Sequence, residues 1–279
     1  MRPAIIAAAG TLILVVSACS DSSSSPTQDS TGGTSASPST RSAAATSGDP
    51  CFDEGKDFEG EARVYIEHNA TDQDTGFHGM FDQEGLAKGC IRTPGGTQIM
   101  LVEPTKQLAA LGINQFFFES REPPNDEYSI ADLKADFPEG EYRISGFDYT
   151  GVKRVGAATF THAIPAAPKI VAPKVVPEEK AESNTLPRAG LIVRWKPVTQ
   201  TIDGEPVTVS GYEVIVTKEE HDDPHGLSRP EYDVHVPPDV TELSVPAGFL
   251  EPGTLYELEV LALEESGNQT ITVGFFTTR

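Results

Sequence analysis

The chain has 279 residues and carries 42 Asp and Glu against 21 Lys and Arg, which gives a formal net charge of −21. This length accommodates two domains of ordinary size with additional segments, and 25 glycines and 22 prolines against 3 methionines indicate turn-rich β structure rather than a helical bundle. The acidic balance argues against nucleic acid as a partner, since such binding needs cationic groups that displace phosphate counterions, and against a polybasic membrane patch.

The N-terminus has the pattern of an export signal. Arg2 precedes an apolar run over residues 4–16, which the small residues Ser17 and Ala18 follow. The run is shorter than the roughly 20 residues that a membrane-spanning helix needs. A basic start, an apolar middle and small residues before a cleavage point are typical of a secretory signal. We therefore expect residues 1–18 to be a signal peptide.

The tetrapeptide Val16-Ser17-Ala18-Cys19 resembles the lipobox of bacterial lipoproteins, with Val in the first position where that family prefers Leu. The resemblance implies cleavage before Cys19, a lipid on its thiol and acylation of the new amine, with fatty chains such as palmitate. The protein would then be held on a bacterial membrane by this anchor, on the outer membrane if the cell has one, facing the periplasm or the cell surface. The alternative is an ordinary secretory signal in which Cys19 is incidental.

Residues 19–50 are predicted to be a disordered tether that begins at the lipidated Cys19. From Ser20 to Pro50 the sequence is rich in Ser, Thr, Gly, Ala and Pro, and it contains no large apolar side chain. Such a segment buries nothing that could offset the entropy of ordering. As a flexible coil it would reach roughly 30 Å from the membrane.

Cys51 and Cys90 are the remaining cysteines once Cys19 is lipidated. In an oxidising exported compartment, an even pair within one module most simply forms a disulfide. The alternative is two free thiols. The absence of a CxxC sequence gives no support to a redox motif or a structural zinc site.

Residues 51–165 alternate short β-prone runs with turn signals, as at 63–66, 76–81, 90–91 and 98–102. Strands spaced this closely predict an immunoglobulin-like β-sandwich. Two short helices are expected to interrupt it, one over 105–111 closed by Gly112 and one that starts at Ser129 and ends before Pro138.

Residues 166–279 form a second predicted sandwich. Alternating runs at 191–195, 211–216 and 256–262 accompany Trp195, Tyr212 and the corner Leu250-Glu251-Pro252-Gly253-Thr254-Leu255-Tyr256, and in these features the segment resembles a fibronectin type III domain. The resemblance implies that Tyr256 lies in the core with its hydroxyl bonded to upstream backbone. The Pro- and Ala-rich segment 164–177 is the predicted junction. The expected fold is therefore all-β, with two tandem β-sandwich domains after a tether.

The strongest metal candidate in the first module is the turn Asn69-Ala70-Thr71-Asp72-Gln73-Asp74, followed by Asp82. Carboxylate and amide oxygens around such a turn are ligands that Ca²⁺ prefers, so Asn69, Asp72, Asp74 and Asp82 form a weak candidate calcium site. The alternative is a solvated turn between strands, because Asn and Asp are common turn residues.

The sequence His221-Asp222-Asp223-Pro224-His225 is a second metal candidate, because imidazoles and carboxylates bind transition metals. The break at Pro224 and the lack of a nearby further ligand favour an exposed polar loop instead.

Strand alternation in the second module predicts a surface. If Tyr212 points inward, Ile215 points outward, and the same alternation places Leu261, Leu263 and Phe276 on the outer face of neighbouring strands. An apolar patch of this kind marks a contact with a partner, or is covered by the first module or by the 164–177 segment.

These features together predict a lipid-anchored, non-enzymatic protein that binds or scaffolds another envelope or extracellular macromolecule. One alternative is a hydrolase whose catalytic groups lie in 51–165, although no GxSxG, HExxH or phosphate-binding Gly loop is present. The other is a calcium-dependent carbohydrate-binding protein, for which a single Trp is a poor supply of aromatic surface.

Overall fold

A computed structural model describes residues 48–219, 221 and 229–279 of the chain. The predicted signal peptide with Cys19, the tether up to residue 47, and Asp222-Asp223-Pro224-His225 lie outside the described residues. None of the described helices is long and apolar enough to cross a membrane. The prediction of an all-β chain built from two sandwich modules is confirmed by the strands given below.

The first module consists of seven strands and two short helices, in the order β1 (Lys56–Asp57), β2 (Ala62–Asn69), β3 (Asp74–Arg92), β4 (Gln98–Val102), α1 (Lys106–Leu111), β5 (Ile113–Glu119), α2 (Ile130–Asp136), β6 (Gly140–Asp148) and β7 (Lys153–Phe160). Strand β3 belongs to both layers, because its first half pairs with β2 and β5 and its second half pairs with β6 and β4. The immunoglobulin-like connectivity expected for this module stays a prediction.

Strand β3 has 19 residues, whereas the sequence predicted separate runs at 76–81 and 90–91. The two runs are joined through Gly85, whose φ of 69° lies in the left-handed region that favours glycine. The pairing register of β3 shifts on either side of Leu86. A glycine with a register shift allows one strand to bend from one layer into the other, as β-bulges do.

Several local predictions for the first module are confirmed. Helix α1 ends at Gly112, whose φ is 76°, and the Ser129 side chain accepts a hydrogen bond from the Asp132 amide at the start of α2. Cys51 and Cys90 form the predicted disulfide, with 5.4 Å between their Cα atoms. The cross-link ties the segment before β1 to the buried second half of β3.

The second module consists of eight strands and one 3₁₀ helix, in the order β8 (Lys169–Ala172), the 3₁₀ helix (Glu178–Ser183), β9 (Thr185–Leu186), β10 (Ile192–Lys196), β11 (Val209–Lys218), β12 (Glu231–Val236), β13 (Glu242–Ser244), β14 (Leu255–Glu264) and β15 (Gln269–Thr278). One layer has the order β8-β10-β13, and the facing layer has the order β12-β11-β14-β15. This division into three and four strands, with β9 pairing β15, agrees with the two-layer sandwich that the sequence resemblance implied. Part of the predicted junction 164–177 is thus strand β8.

The corner predicted around Tyr256 is confirmed. Its ring is fully buried, and its hydroxyl accepts a hydrogen bond of 2.7 Å from the Glu251 amide and donates one to the Phe249 carbonyl. The core around it contains Trp195, whose ring centroid lies 5.4 Å from that of Tyr212. The sequence therefore placed the inward residues of this module correctly at three positions.

The outward position predicted for Phe276 is wrong. Phe276 lies directly opposite Tyr256 in the β14–β15 ladder, and side chains opposite each other in a ladder share a face. Because Tyr256 points into the core, Phe276 does too, and the two rings stack with centroids 5.5 Å apart. Its neighbour Phe275 lies on the outer face instead.

The two modules share one sheet. Strand β15 pairs in parallel with β2, with Gln269 opposite Glu67 and Ile271 opposite Asn69. This pairing joins the four-strand layer of the second module to the sheet of the first, in one sheet of twelve strands. Hydrogen bonds of the backbone therefore connect the modules in addition to the chain itself.

Candidate functional site

The face of the shared sheet opposite the two cores carries a third apolar cluster. Its buried members are Ile215, Leu261, Ile271 and Val273, with Leu263 and Phe275 packed against them. Ile215 is 3% exposed and Leu261 is 0% exposed, so the chain itself covers these two members of the predicted patch. The prediction of an external apolar patch made of all four residues is therefore wrong.

Leu263 packs at the edge of this cluster and also lines a cavity of about 850 Å³ between the modules. Both modules contribute to its lining, with mostly apolar side chains from the first and mostly polar ones from the second. The lining includes Tyr65, Met80, Phe117, Asp233, His235 and Leu263.

The cavity extends over the outer face of the shared sheet. Tyr65 lies on β2 and His235 on β12, and the sheet order places β15, β14 and β11 between them. Both residues line the same cavity, which therefore spans strands of both modules.

Three potential metal ligands meet on this face in the second module. Glu213 on β11 lies directly opposite His235 on β12, and Asp233 lies two residues before His235 on the same strand. Residues two apart on a strand point to the same face, so all three side chains are brought together. Their ligand atoms lie within 4.8 Å of one another, and Nε2 of His235 is 3.4 Å from Oε1 of Glu213.

The three groups differ in burial and in protonation. Glu213 is fully buried, whereas Asp233 and His235 keep exposed surface toward the cavity. Partial burial and the neighbouring Glu213 carboxylate raise the pKa of Asp233 to about 7. The close contact with Glu213 raises the pKa of His235, against the opposing effect of burial. Asp233 therefore exchanges its proton near neutral pH.

A second cluster lies on the same face in the first module. Nε2 of His78 on β3 is 3.0 Å from Oε1 of Glu122, and Glu67 on β2 completes the group. Glu67 also accepts a hydrogen bond from the side chain of Gln269, which belongs to the second module. Burial raises the pKa of Glu67 to about 7, although the charge of His78 opposes this effect.

The candidate calcium site does not assemble as the sequence predicted. The Oδ1 atom of Asn69 accepts hydrogen bonds from the amides of Thr71 and Asp72, as in an ordinary Asx turn. Asp74 begins β3, and Asp82 lies eight residues further along it, about 26 Å away at the usual rise per residue. Asp82 therefore cannot bind the same ion as the turn, and the solvated-turn interpretation accounts for the hydrogen bonds of Asn69.

His221 is the described part of the second predicted metal loop. Its Nδ1 atom is 2.7 Å from the Glu219 carbonyl oxygen, and its side chain is 42% exposed. The structure therefore shows a backbone contact for His221.

Glu213, Asp233 and His235 were not among the site residues predicted from the sequence. A signal was present, because Glu213 interrupts the apolar run Tyr212-Glu213-Val214-Ile215-Val216 and because Asp233 and His235 alternate with Tyr232 and Val234. In a type III sandwich the two strands that carry them are neighbours. The alternation could have shown that the three residues share a face.

Comparisons with known proteins add little to this description. No family model matches the sequence, and no curated protein matches it. Among solved structures, a two-domain fibronectin type III segment of chicken tenascin is similar at 13% identity and a TM-score of 0.28, over 81% of this chain and 100% of that one. The first three type III domains of chicken CNTN1 are similar at 15% identity and a TM-score of 0.28, over 81% of this chain and 68% of that one.

A TM-score of 0.28 carries no argument about fold or function. The second module is a two-layer β-sandwich by its strand order and by the corner at Tyr256.

Proposed function

We propose that this chain is a lipid-anchored protein of the bacterial cell envelope that binds another envelope or extracellular macromolecule without catalysing a reaction. The lipobox-like sequence ending at Cys19 supports the anchor, and the tether supports a folded head that extends from the membrane. The acidic balance would keep such a head soluble and would disfavour unspecific contact with anionic lipids.

The observation that carries the binding role is the cavity between the modules. Its volume of about 850 Å³ lies within the range that ligand-binding sites occupy. Apolar surface from Tyr65, Met80 and Phe117 lines the same space as the polar groups of Asp233 and His235. Such a lining suits an apolar group of a partner that also carries polar atoms.

The shared sheet supports the same role. Because the β2–β15 ladder fixes the relative position of the modules, the cavity walls are preorganised. Preorganised walls reduce the entropy that binding must offset.

The anchor is tested by membrane fractionation of cells that produce the full chain. Cys19→Ala should remove the protein from the membrane fraction, because no thiol remains to carry lipid. Ser20→Ala, the adjacent conservative change, should leave it there. A Cys19→Ala protein that stays in the membrane fraction to the same extent would contradict the proposed anchor.

The binding role is tested by photo-crosslinking in the native envelope. A photoreactive residue at position 263, where Leu263 lines the cavity, should give a discrete crosslinked product. The control is the same residue at position 111, because Leu111 is 75% exposed on α1 and does not line the cavity. Met80→Asp should abolish the product at 263 by placing a charge in the lining. No product at 263, or the same product at 111, would contradict the proposal.

The hydrolase alternative is separated by a turnover measurement. The purified full chain should convert no substrate in a broad panel of esters, peptides and glycosides. Turnover that is lost on changing one carboxylate at the cavity would replace the binding role with catalysis.

A further inference from the structure

We propose that Glu213, Asp233 and His235 bind one divalent transition-metal ion of the zinc type at the edge of the cavity between the modules. The site combines two carboxylates with one imidazole on adjacent strands β11 and β12. This inference concerns a property of the second module and does not depend on the proposed binding role.

The geometry fits a small tetrahedral ion. Two ligands that each lie about 2.0–2.1 Å from zinc at the tetrahedral angle are separated by about 3.3 Å. Nε2 of His235 and Oε1 of Glu213 are 3.4 Å apart, and all the ligand atoms of the cluster lie within 4.8 Å of one another. Asp233 would supply the third ligand from the same strand as His235.

The buried Glu213 provides an independent reason to expect a cation. Its side chain is 0% exposed, yet neither of its carboxylate oxygens accepts a hydrogen bond from any residue that the structure describes. A buried carboxylate whose oxygens accept no hydrogen bond is strongly unfavourable unless a nearby cation or a proton compensates its charge. The imidazole of His235 approaches Glu213 without the angle of a hydrogen bond. A metal ion between the two groups would satisfy both.

The types of ligand decide the kind of metal. Imidazole nitrogen suits zinc and other transition metals, whereas Ca²⁺ takes six to eight oxygen ligands. Three protein ligands leave a fourth position on zinc, and two of the three, Asp233 and His235, line the cavity. That fourth position would take a water molecule or an oxygen atom of a bound partner.

The cluster of Glu67, His78 and Glu122 is a weaker candidate. There the imidazole nitrogen that faces the acids already pairs with Glu122 at 3.0 Å, and Glu67 accepts a hydrogen bond from Gln269. Because partners within the chain already satisfy these ligand atoms, an ion would have to displace existing bonds.

The test is zinc binding by the full chain, first freed of metal with a chelator and then titrated with zinc chloride at pH 7.5 in a calorimeter. One zinc ion should bind per chain, and Ca²⁺ should not compete at similar concentration. Asp233→Asn and His235→Gln should each weaken binding by about 100-fold or more, since even changes behind the ligands cost 10–100-fold. Asp239→Asn, in the turn after β12, is the matched control and should bind as the original chain does.

Glu213→Gln separates a ligand role from a folding role. It should abolish zinc binding, while its metal-free form should unfold at a temperature equal to or above that of the original metal-free chain, because a buried uncompensated charge is removed. Zinc should raise the unfolding temperature of the original chain and leave that of Glu213→Gln unchanged.

Four results would overturn the proposal. The first is that the original chain binds no zinc. The second is that His78→Gln loses zinc binding while His235→Gln keeps it. The third is preferential binding of Ca²⁺. X-ray absorption at the zinc edge of the loaded chain should show one imidazole nitrogen among light-atom ligands, and the absence of imidazole would also refute this site.

Discussion

Asn268 is the side chain whose removal best tests whether the two modules act as one unit. It lies in the turn between β14 and β15 and is 0% exposed. Its Oδ1 atom accepts a hydrogen bond of 2.8 Å from the Ile66 amide on β2, and its Nδ2 atom donates one of 3.0 Å to the Thr161 carbonyl that follows β7. A residue of the second module thus completes the backbone hydrogen bonds of the first.

Asn268→Ala should lower the free energy of unfolding by about 2–4 kcal/mol. The change leaves the Ile66 amide and the Thr161 carbonyl without their partner, and each unsatisfied buried group costs about 1–3 kcal/mol. Relaxation of the surrounding structure recovers part of this cost. The matched control is Asn114→Ala, because Asn114 is exposed and bonds the Gly85 amide inside the first module. Asn114→Ala should lower the free energy of unfolding by only about 1 kcal/mol, the usual value for one accessible hydrogen bond.

Denaturation by urea, followed by Trp195 fluorescence, measures these losses, because the single Trp reports the core of the second module. Hydrogen exchange should show faster exchange in β2 and β15 together for Asn268→Ala, and no such joint change for Asn114→Ala. If Asn268→Ala unfolds at the original urea concentration and leaves the exchange of β2 unchanged, the bridging role of Asn268 is refuted.

Packing, cross-linking and buried charge give three further predictions, all measured by urea denaturation. Phe276→Ala should lower stability by about 3–5 kcal/mol because it empties a core position, and Phe275→Ala on the outer face should lower it less; equal losses would contradict the inward assignment of Phe276. Replacing Cys51 and Cys90 by Ser should lower stability by about 4 kcal/mol for a loop of about 40 residues, and an unchanged midpoint would show that the cross-link contributes nothing. Stability should fall as pH rises through about 7, because the pKa of Glu67 is about 7 in the folded chain against an ordinary value of 4.5. The stabilisation from protonated Glu67 is therefore complete only below pH 4.5. Glu67→Gln should flatten this decline, and a slope that persists unchanged would assign the decline to other groups.

Local features were predictable from the sequence because their causes are local. The cap at Ser129, the helix end at Gly112 and the corner at Tyr256 each depend on a residue type with a known conformational or hydrogen-bonding preference. The disulfide between Cys51 and Cys90 was predictable from the count of cysteines and the export expected from the N-terminal sequence.

The register of β15 was not predictable from alternation within that strand. Alternation shows that neighbouring residues point to opposite faces, but a shift of one residue in pairing exchanges the two faces. The choice between Phe275 and Phe276 therefore depends on the pairing with β14 across the turn at 265–268. The stacked contact with Tyr256 decides it, and this contact is a property of two strands together.

The union of the two modules in one sheet had no local signal at all. The β2–β15 ladder joins positions 202 residues apart, as the hydrogen bond between Ile66 and Asn268 also does. Such pairing depends on the final position of both modules. The cavity depends on it in turn, so its lining could not be read from the sequence, although the three residues of the proposed metal site could be placed on one face.

The outer face of the shared sheet has an apolar part and a part with buried carboxylates. Ile215, Leu261 and Ile271 form an apolar part, as expected for a surface that the chain covers. Beside them Glu213 and Glu259 are buried carboxylates, and burial together with the nearby Glu257 raises the pKa of Glu259 well above its usual range. Apolar residues in those positions would make a more stable protein, because carboxylates that share a buried face destabilise one another. Buried carboxylates that bring no stability are expected where a site needs them. Of these two carboxylates, Glu213 lies beside an imidazole, that of the cavity-lining His235. Glu259 has no His opposite it in the ladder, and we therefore assign it no ligand role.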